Sequence, residues 1–184
     1  MLWLLLACDS SVEVKDDTAA TGDDTGTIPD TVEVPELVIN EFLAENTASN
    51  ADAAGEFDDW VEIYNDGGTL VQLEGLYLTD DLTQKTRWAF PSGTGLSPGE
   101  FLVVWCDTQV DQMNDTTGEL HTNFALEKNG ESLGLFLAVD GRDPVRVSAV
   151  EWAAEADDVA SARTPDGSTT WVHQAPTPGE SNGG

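Results

Sequence analysis

The sequence predicts an all-β fold, a β-sandwich, from three observations. From residue 37 onward the apolar runs are short and bounded by Gly, Pro, Asn and Asp. Turn signals recur between them at the spacing of a sandwich. Within "DWVEIYN" alternation places Val61 and Ile63 on one face and Trp60, Glu62 and Tyr64 on the other, the period of a strand.

Strands are expected at "LVINEFL" (37–43), "WVEIYN" (60–65), "LEGLYLTD" (73–80), "TRWAF" (86–90), "FLVVWC" (101–106), "SLGLFLA" (132–138) and "VRVSAVEW" (145–152). The breaks fall at Asp66-Gly67-Gly68, Pro91-Ser92-Gly93, Ser97-Pro98-Gly99, Asn129-Gly130 and Asp140-Gly141. "KNGES" and "VDGRD" read as hairpin turns, because Asn-Gly and Asp-Gly tolerate positive φ. "FLVVWC" is apolar on both faces, as a central buried strand is. Trp60, Trp88 and Trp105 are expected in the core. Only "EWAAEADDVASA" (151–162) invites a helix, and it lacks a clean apolar stripe.

The chain has 184 residues, room for one domain with extensions and a proper core. Thirty-five acids against seven bases give a formal net charge of −28. Such a surface is repelled by nucleic acid and by anionic headgroups, so nucleic acid is excluded as a partner. The two cysteines, Cys8 and Cys106, are weak evidence for a disulfide, and no zinc-type cluster surrounds the two histidines.

The chain opens "MLWLLLACDSS". Its apolar run is far too short to cross a bilayer, which takes roughly 20 residues. Leu5-Leu6-Ala7-Cys8 resembles the lipobox that ends a bacterial lipoprotein signal peptide, and polar sequence follows the cysteine at once. The resemblance implies lipidation of Cys8. A full signal has a basic start and a longer apolar stretch, so the natural signal is expected to begin upstream of Met1. Cys106 is then a lone thiol and a small core residue. Residues 9–36 are rich in Asp, Thr, Gly and Pro and hold no aromatic residue. Such a tract cannot offset its ordering entropy and reads as a disordered acidic linker, about 28 residues spanning roughly 30 Å. The expected organisation is a signal remnant with lipobox over 1–8, the linker over 9–36 and a sandwich over 37–184.

Residues 38–182 also resemble the lamin tail domain. The motifs are "VINEF", "DDWVEIYN", "LEGLYLTDD", "WAFPSGTGLSPGEFLVV", "LHTNFALEKNGESLGLF" and "SARTPDGSTTWVHQAPTPGESN". The resemblance implies an immunoglobulin-like β-sandwich without catalytic activity, of the kind found in nuclear lamins and in secreted bacterial proteins. Trp60, Glu62, Arg163, Pro165, Asp166 and Gly167 fall in its motifs as structural residues. Arg163 is expected to pair with a carboxylate such as Glu62 or to bond backbone carbonyls.

No catalytic set is legible. His121 and His173 lie near no nucleophile motif, and His173 is expected in a loop. No phosphate-cradling loop is present. One acidic cluster, Asp52, Glu56, Asp58 and Asp59 in "NADAAGEFDDWVE", offers the oxygen ligands that calcium takes. It lacks the spacing of an EF-hand loop, and the sequence favours a solvated acidic loop over a site. No other cofactor is implied. The expected function is a bacterial cell-envelope lipoprotein, on the periplasmic face or the cell surface. Its partners would be the membrane through Cys8 and a protein or glycan ligand, in adhesion, scaffolding or binding. Alternatives are an accessory or regulatory domain of a secreted enzyme system, and a small secreted hydrolase.

Overall fold

The computed structural model describes residues 32–113 and 116–183. Cys8 with its lipobox, and residues 9–31 of the expected linker, lie outside the described residues. The described chain is an antiparallel β-sandwich without an α-helix. Its strands are β1 (Leu37–Leu43), β2 (Trp60–Asn65), β3 (Val71–Gln72), β4 (Leu76–Thr79), β5 (Trp88–Ala89), β6 (Gly95–Leu96), β7 (Phe101–Trp105), β8 (Glu131–Leu137), β9 (Val145–Trp152), β10 (Ala160–Arg163) and β11 (Trp171–Gln174). One sheet runs β11-β10-β1-β2-β7, the other β5-β4-β8-β9, and β3 pairs with β6 as a small ribbon. No helix among the described residues is long and apolar enough to cross a membrane.

Alternation puts one face of each sheet into a common core. Ile39, Val61, Ile63 and Val104 come from the five-stranded sheet, and Leu76, Leu78, Leu133 and Leu135 from the four-stranded one. A second cluster, Leu43, Trp60, Trp105 and Ala160, covers the outer face of the five-stranded sheet at one end. Trp60, Trp88 and Trp105 are buried. Tyr64 is half-buried and stacks on Phe101, with ring centroids 4.8 Å apart.

β1 contains a bulge. Ile39 faces Ile63 and Glu41 faces Glu62, so Asn40 is the extra residue. The extra residue shifts the alternation. Leu37 and Ile39 point into the core before it, and Phe42 and Ala44 after it. Asn40 and Glu41 are consecutive, yet both are fully buried on the opposite side.

Four expectations are corrected. "FLVVWC" is not central: β7 is the edge of its sheet. Its apolar outer face is explained by the second aromatic cluster, and its open edge is covered by 120–122. Trp105 N–H donates to Leu120 O (2.8 Å), and Thr122 N–H donates to Trp105 O (2.8 Å). "EWAAEADDVASA" forms no helix. Its hydrogen bonds go elsewhere: Glu155 N–H donates to Lys128 O, and Asp158 N–H to Glu45 O. Asp158 takes a positive φ and accepts from Thr47 N–H, Thr47 O–H, Ala48 N–H and Ser49 O–H. "KNGES" is a turn feeding β8 rather than a hairpin between paired strands. Gly130 is required there, with φ +119 and Ala153 O 2.2 Å from where a Cβ would sit. "VDGRD" does join the paired strands β8 and β9. Finally, His173 lies in β11, opposite Ser161 of β10.

Candidate functional site

The loop 44–59 between β1 and β2 is built by its own polar side chains. Asn46 Nδ2 donates to Asn50 O (2.6 Å) and Asp58 O (2.8 Å), and Asn46 Oδ1 accepts Ser49 N–H. A tight turn follows, in which Gly55 N–H donates to Asp52 O and Asp52 N–H to Glu56 O. Asp52 Oδ1 accepts Glu56 N–H (2.8 Å). This turn places Asp52 and Glu56 side by side, and the chain then brings up Asp58 just before β2. Carboxylate oxygens of Asp52, Glu56 and Asp58 lie within 4.8 Å of one another.

Asp59 does not join them. Its carboxylate accepts Asn46 N–H (2.9 Å), and burial pushes it up to about 6. Asp58 is also held above the usual carboxylate range, by burial first and then by Asp107, Asp52 and Glu56. Behind this cluster lies a pair that the sequence did not disclose. His121 Nδ1 and Asp107 Oδ2 are 2.6 Å apart, and both side chains are almost fully buried. They are distant in sequence and meet only because 120–122 lies along the edge of β7.

The motif residues meet on the outer face of the five-stranded sheet. Asn40 is the hub. Its Nδ2 donates to Glu62 Oε1 (3.1 Å) and Asp166 Oδ1 (2.9 Å), and its Oδ1 accepts Gly167 N–H (3.1 Å). The C-terminal tail completes the network. Gly179 N–H donates to Glu62 Oε2 (2.7 Å), Asn182 N–H to Asp166 Oδ1 (3.0 Å), and Thr177 N–H and O–H to Glu41. Burial raises Glu62 to about 8 and Glu41 to about 6. Arg163 takes the second of its two expected roles. Its Nε donates to Ile39 O (2.7 Å), its Nη1 donates to Ser168 O, and its guanidinium lies 4.6 Å from the Trp171 ring centre. Pro165 O accepts Ser168 N–H in the turn that aims Asp166 and Gly167 at Asn40. Together these residues fasten the tail to the sheet. The bulge makes this possible, and the sequence signal for it, unused in the strand reading, is the slip of the apolar period between Ile39 and Phe42 in "LVINEFL".

A cleft of about 530 Å³ opens where β9 and β11 part. Phe42, Trp152 and Trp171 form its apolar wall, with Phe42 4.5 Å from Trp152 and 5.8 Å from Trp171 between ring centres. Glu155, Ser161 and His173 line its polar side. Ser161 O–H donates to Glu155 Oε1 (3.0 Å), and His173 Nε2 lies 3.2 Å from Glu155 Oε2. The carboxylate stands between the hydroxyl and the imidazole. In a nucleophilic triad the imidazole stands between the other two, so this arrangement does not activate Ser161. Cys106 is buried, and burial raises its thiol well above the ordinary value, which keeps it protonated and unreactive.

Among known proteins, the family model described as the Lamin Tail Domain matches residues 31–154, more than half of the chain. No curated protein matches it.

Proposed function

The chain belongs to the lamin tail domain family, and from that premise we propose a lipid-anchored protein of a bacterial cell envelope whose sandwich is a non-catalytic binding module. The cleft between β9 and β11 carries the binding half of this reading. It combines an aromatic wall with polar side chains, Glu155, Ser161 and His173 among them, the mix by which a pocket holds and orients a ligand. The side chains that would serve catalysis are otherwise engaged. His121 is tied to Asp107, and Glu155 separates Ser161 from His173. Leu5-Leu6-Ala7-Cys8 and the acidic tract behind it support the anchor half. On this reading the tether holds a strongly negative domain clear of an anionic surface.

The test is the mass and the partition of the protein taken from its native cell. A chain cut before Cys8, carrying acyl groups and entering the detergent phase, is the expected result. Cys8→Ser should stay in the aqueous phase. An unmodified chain beginning at Met1 would overturn the anchor and return the binding module to solution.

A further inference from the structure

We propose that Asp52, Glu56 and Asp58 form a calcium site in the loop before β2. An acidic surface loop alone would not justify this, since exposed carboxylates turn outward to water. Here Asp52 is only 7% exposed. Its Oδ1 is taken by Glu56 N–H, while its Oδ2 is buried and has no hydrogen-bond partner. Asp58 Oδ2 is buried and unpartnered in the same way. Buried carboxylate oxygens without donors are costly, and two within one cluster of like charges call for a cation.

The donor set selects the ion. All three ligands are carboxylate oxygens, which suit hard cations. The nearest softer donors are withdrawn: His121 is held by Asp107 and Cys106 is buried and protonated. Calcium sits roughly 2.4 Å from its ligands, so oxygens on opposite sides of it are about 4.8 Å apart. Three oxygens within 4.8 Å of one another meet that outer limit, so small side-chain adjustments bring all three onto one calcium ion. Magnesium, at roughly 2.0–2.1 Å with strict octahedral geometry and reluctant dehydration, suits an irregular carboxylate cluster less well. Glu56 is exposed and also accepts Gln112 Nε2 (2.7 Å), so water completes the shell on that side. Three carboxylates with an open side place the affinity among the weaker calcium modules, with a Kd of about 10⁻⁴–10⁻³ M. The site links the loop to the Val110–Gln112 turn through Gln112, and it does not depend on the anchor.

The experiment uses the full chain, stripped with chelator, and calcium chloride itself as the probe. Calorimetric titration should find one calcium per chain. Melting should rise in calcium chloride beyond the rise in sodium chloride of equal ionic strength, and magnesium chloride should do less. Asp52→Asn with Asp58→Asn should lose the calcium increment and weaken binding by about tenfold or more. Its baseline melting will itself change as repulsion is relieved, so the increments are compared. Asp140→Asn, in the distant β8–β9 turn, should bind as the parent does. If the double variant fails to fold, Glu56→Gln decides, because Glu56 is exposed and its loss spares the core. A several-fold weaker titration supports the site, and an unchanged one overturns it. Equal calcium increments in parent and double variant would reduce the cluster to a solvated acidic face.

Discussion

Replacing Glu62 by glutamine removes one proton-binding group from beneath the C-terminal tail while keeping its shape. Glu62 is fully buried, stands opposite Glu41 across β1 and β2, and is raised by burial to about 8 from the ordinary value of 4.5. Between those two values the folded chain holds a proton that the unfolded chain has released. Stability therefore falls as pH rises from about 4.5 to about 8. At ~1.4 kcal/mol per pH unit this is about 4–5 kcal/mol. Glu41 and Asp59, each at about 6, and Glu131, at about 7, act in the same direction. Glutamine cannot titrate, and its amide faces one of two donors, Asn40 Nδ2 or Gly179 N–H, that the carboxylate accepted. That mismatch costs about 1–3 kcal/mol at every pH. Glu62→Gln should therefore be less stable than the parent near pH 5. The difference should shrink or reverse near pH 8, where the parent bears the buried charge. Urea unfolding followed by tryptophan fluorescence, at fixed ionic strength across that range, measures both profiles. Parallel profiles would show that Glu62 is not the titrating group and would refute the linkage.

Trp105→Ala empties part of the outer cluster with Leu43 and Trp60, and should cost about 3–5 kcal/mol. A melting temperature within a degree or two of the parent would contradict the packing of β7. Arg163→Lys loses the fork that reaches both Ile39 O and Ser168 O, along with the stacking on Trp171. It should lower the urea midpoint by an amount worth about 1–3 kcal/mol, and an unshifted midpoint would mean that a point charge suffices there.

The strands β1, β2 and β9 begin and end where the sequence pattern places them, and β2 does so because it alternates and is closed by Asp66-Gly67-Gly68. β3, β6, β10 and β11 were not expected from periodicity. Two of them are only two residues long, and β10 is a short run of small residues in a segment whose alanines suggested helix. β7 was misplaced at the centre because burial on both faces looks the same whether a second sheet or a side-chain cluster supplies the cover. Of the acidic loop, composition alone suggested four ligands. The turn at Asp52–Gly55 and the bond from Asn46 to Asp59 select three.

The sequence by itself determined the all-β class, the inward pair Val61 and Ile63, and the acidic surface. These follow from the two-residue period of a strand and from net charge, which neighbours along the chain suffice to define. Only the tertiary structure decided that Asn40, Glu62, Asp166 and Gly179 meet under the tail, that His121 finds Asp107, and that Asp52 keeps one carboxylate oxygen buried and unpartnered. Such pairings bring together residues far apart in the chain, and the order in which strands stack fixes them. No local propensity encodes that order, since each of these polar residues would serve equally well in a solvated turn until the sheets close over it.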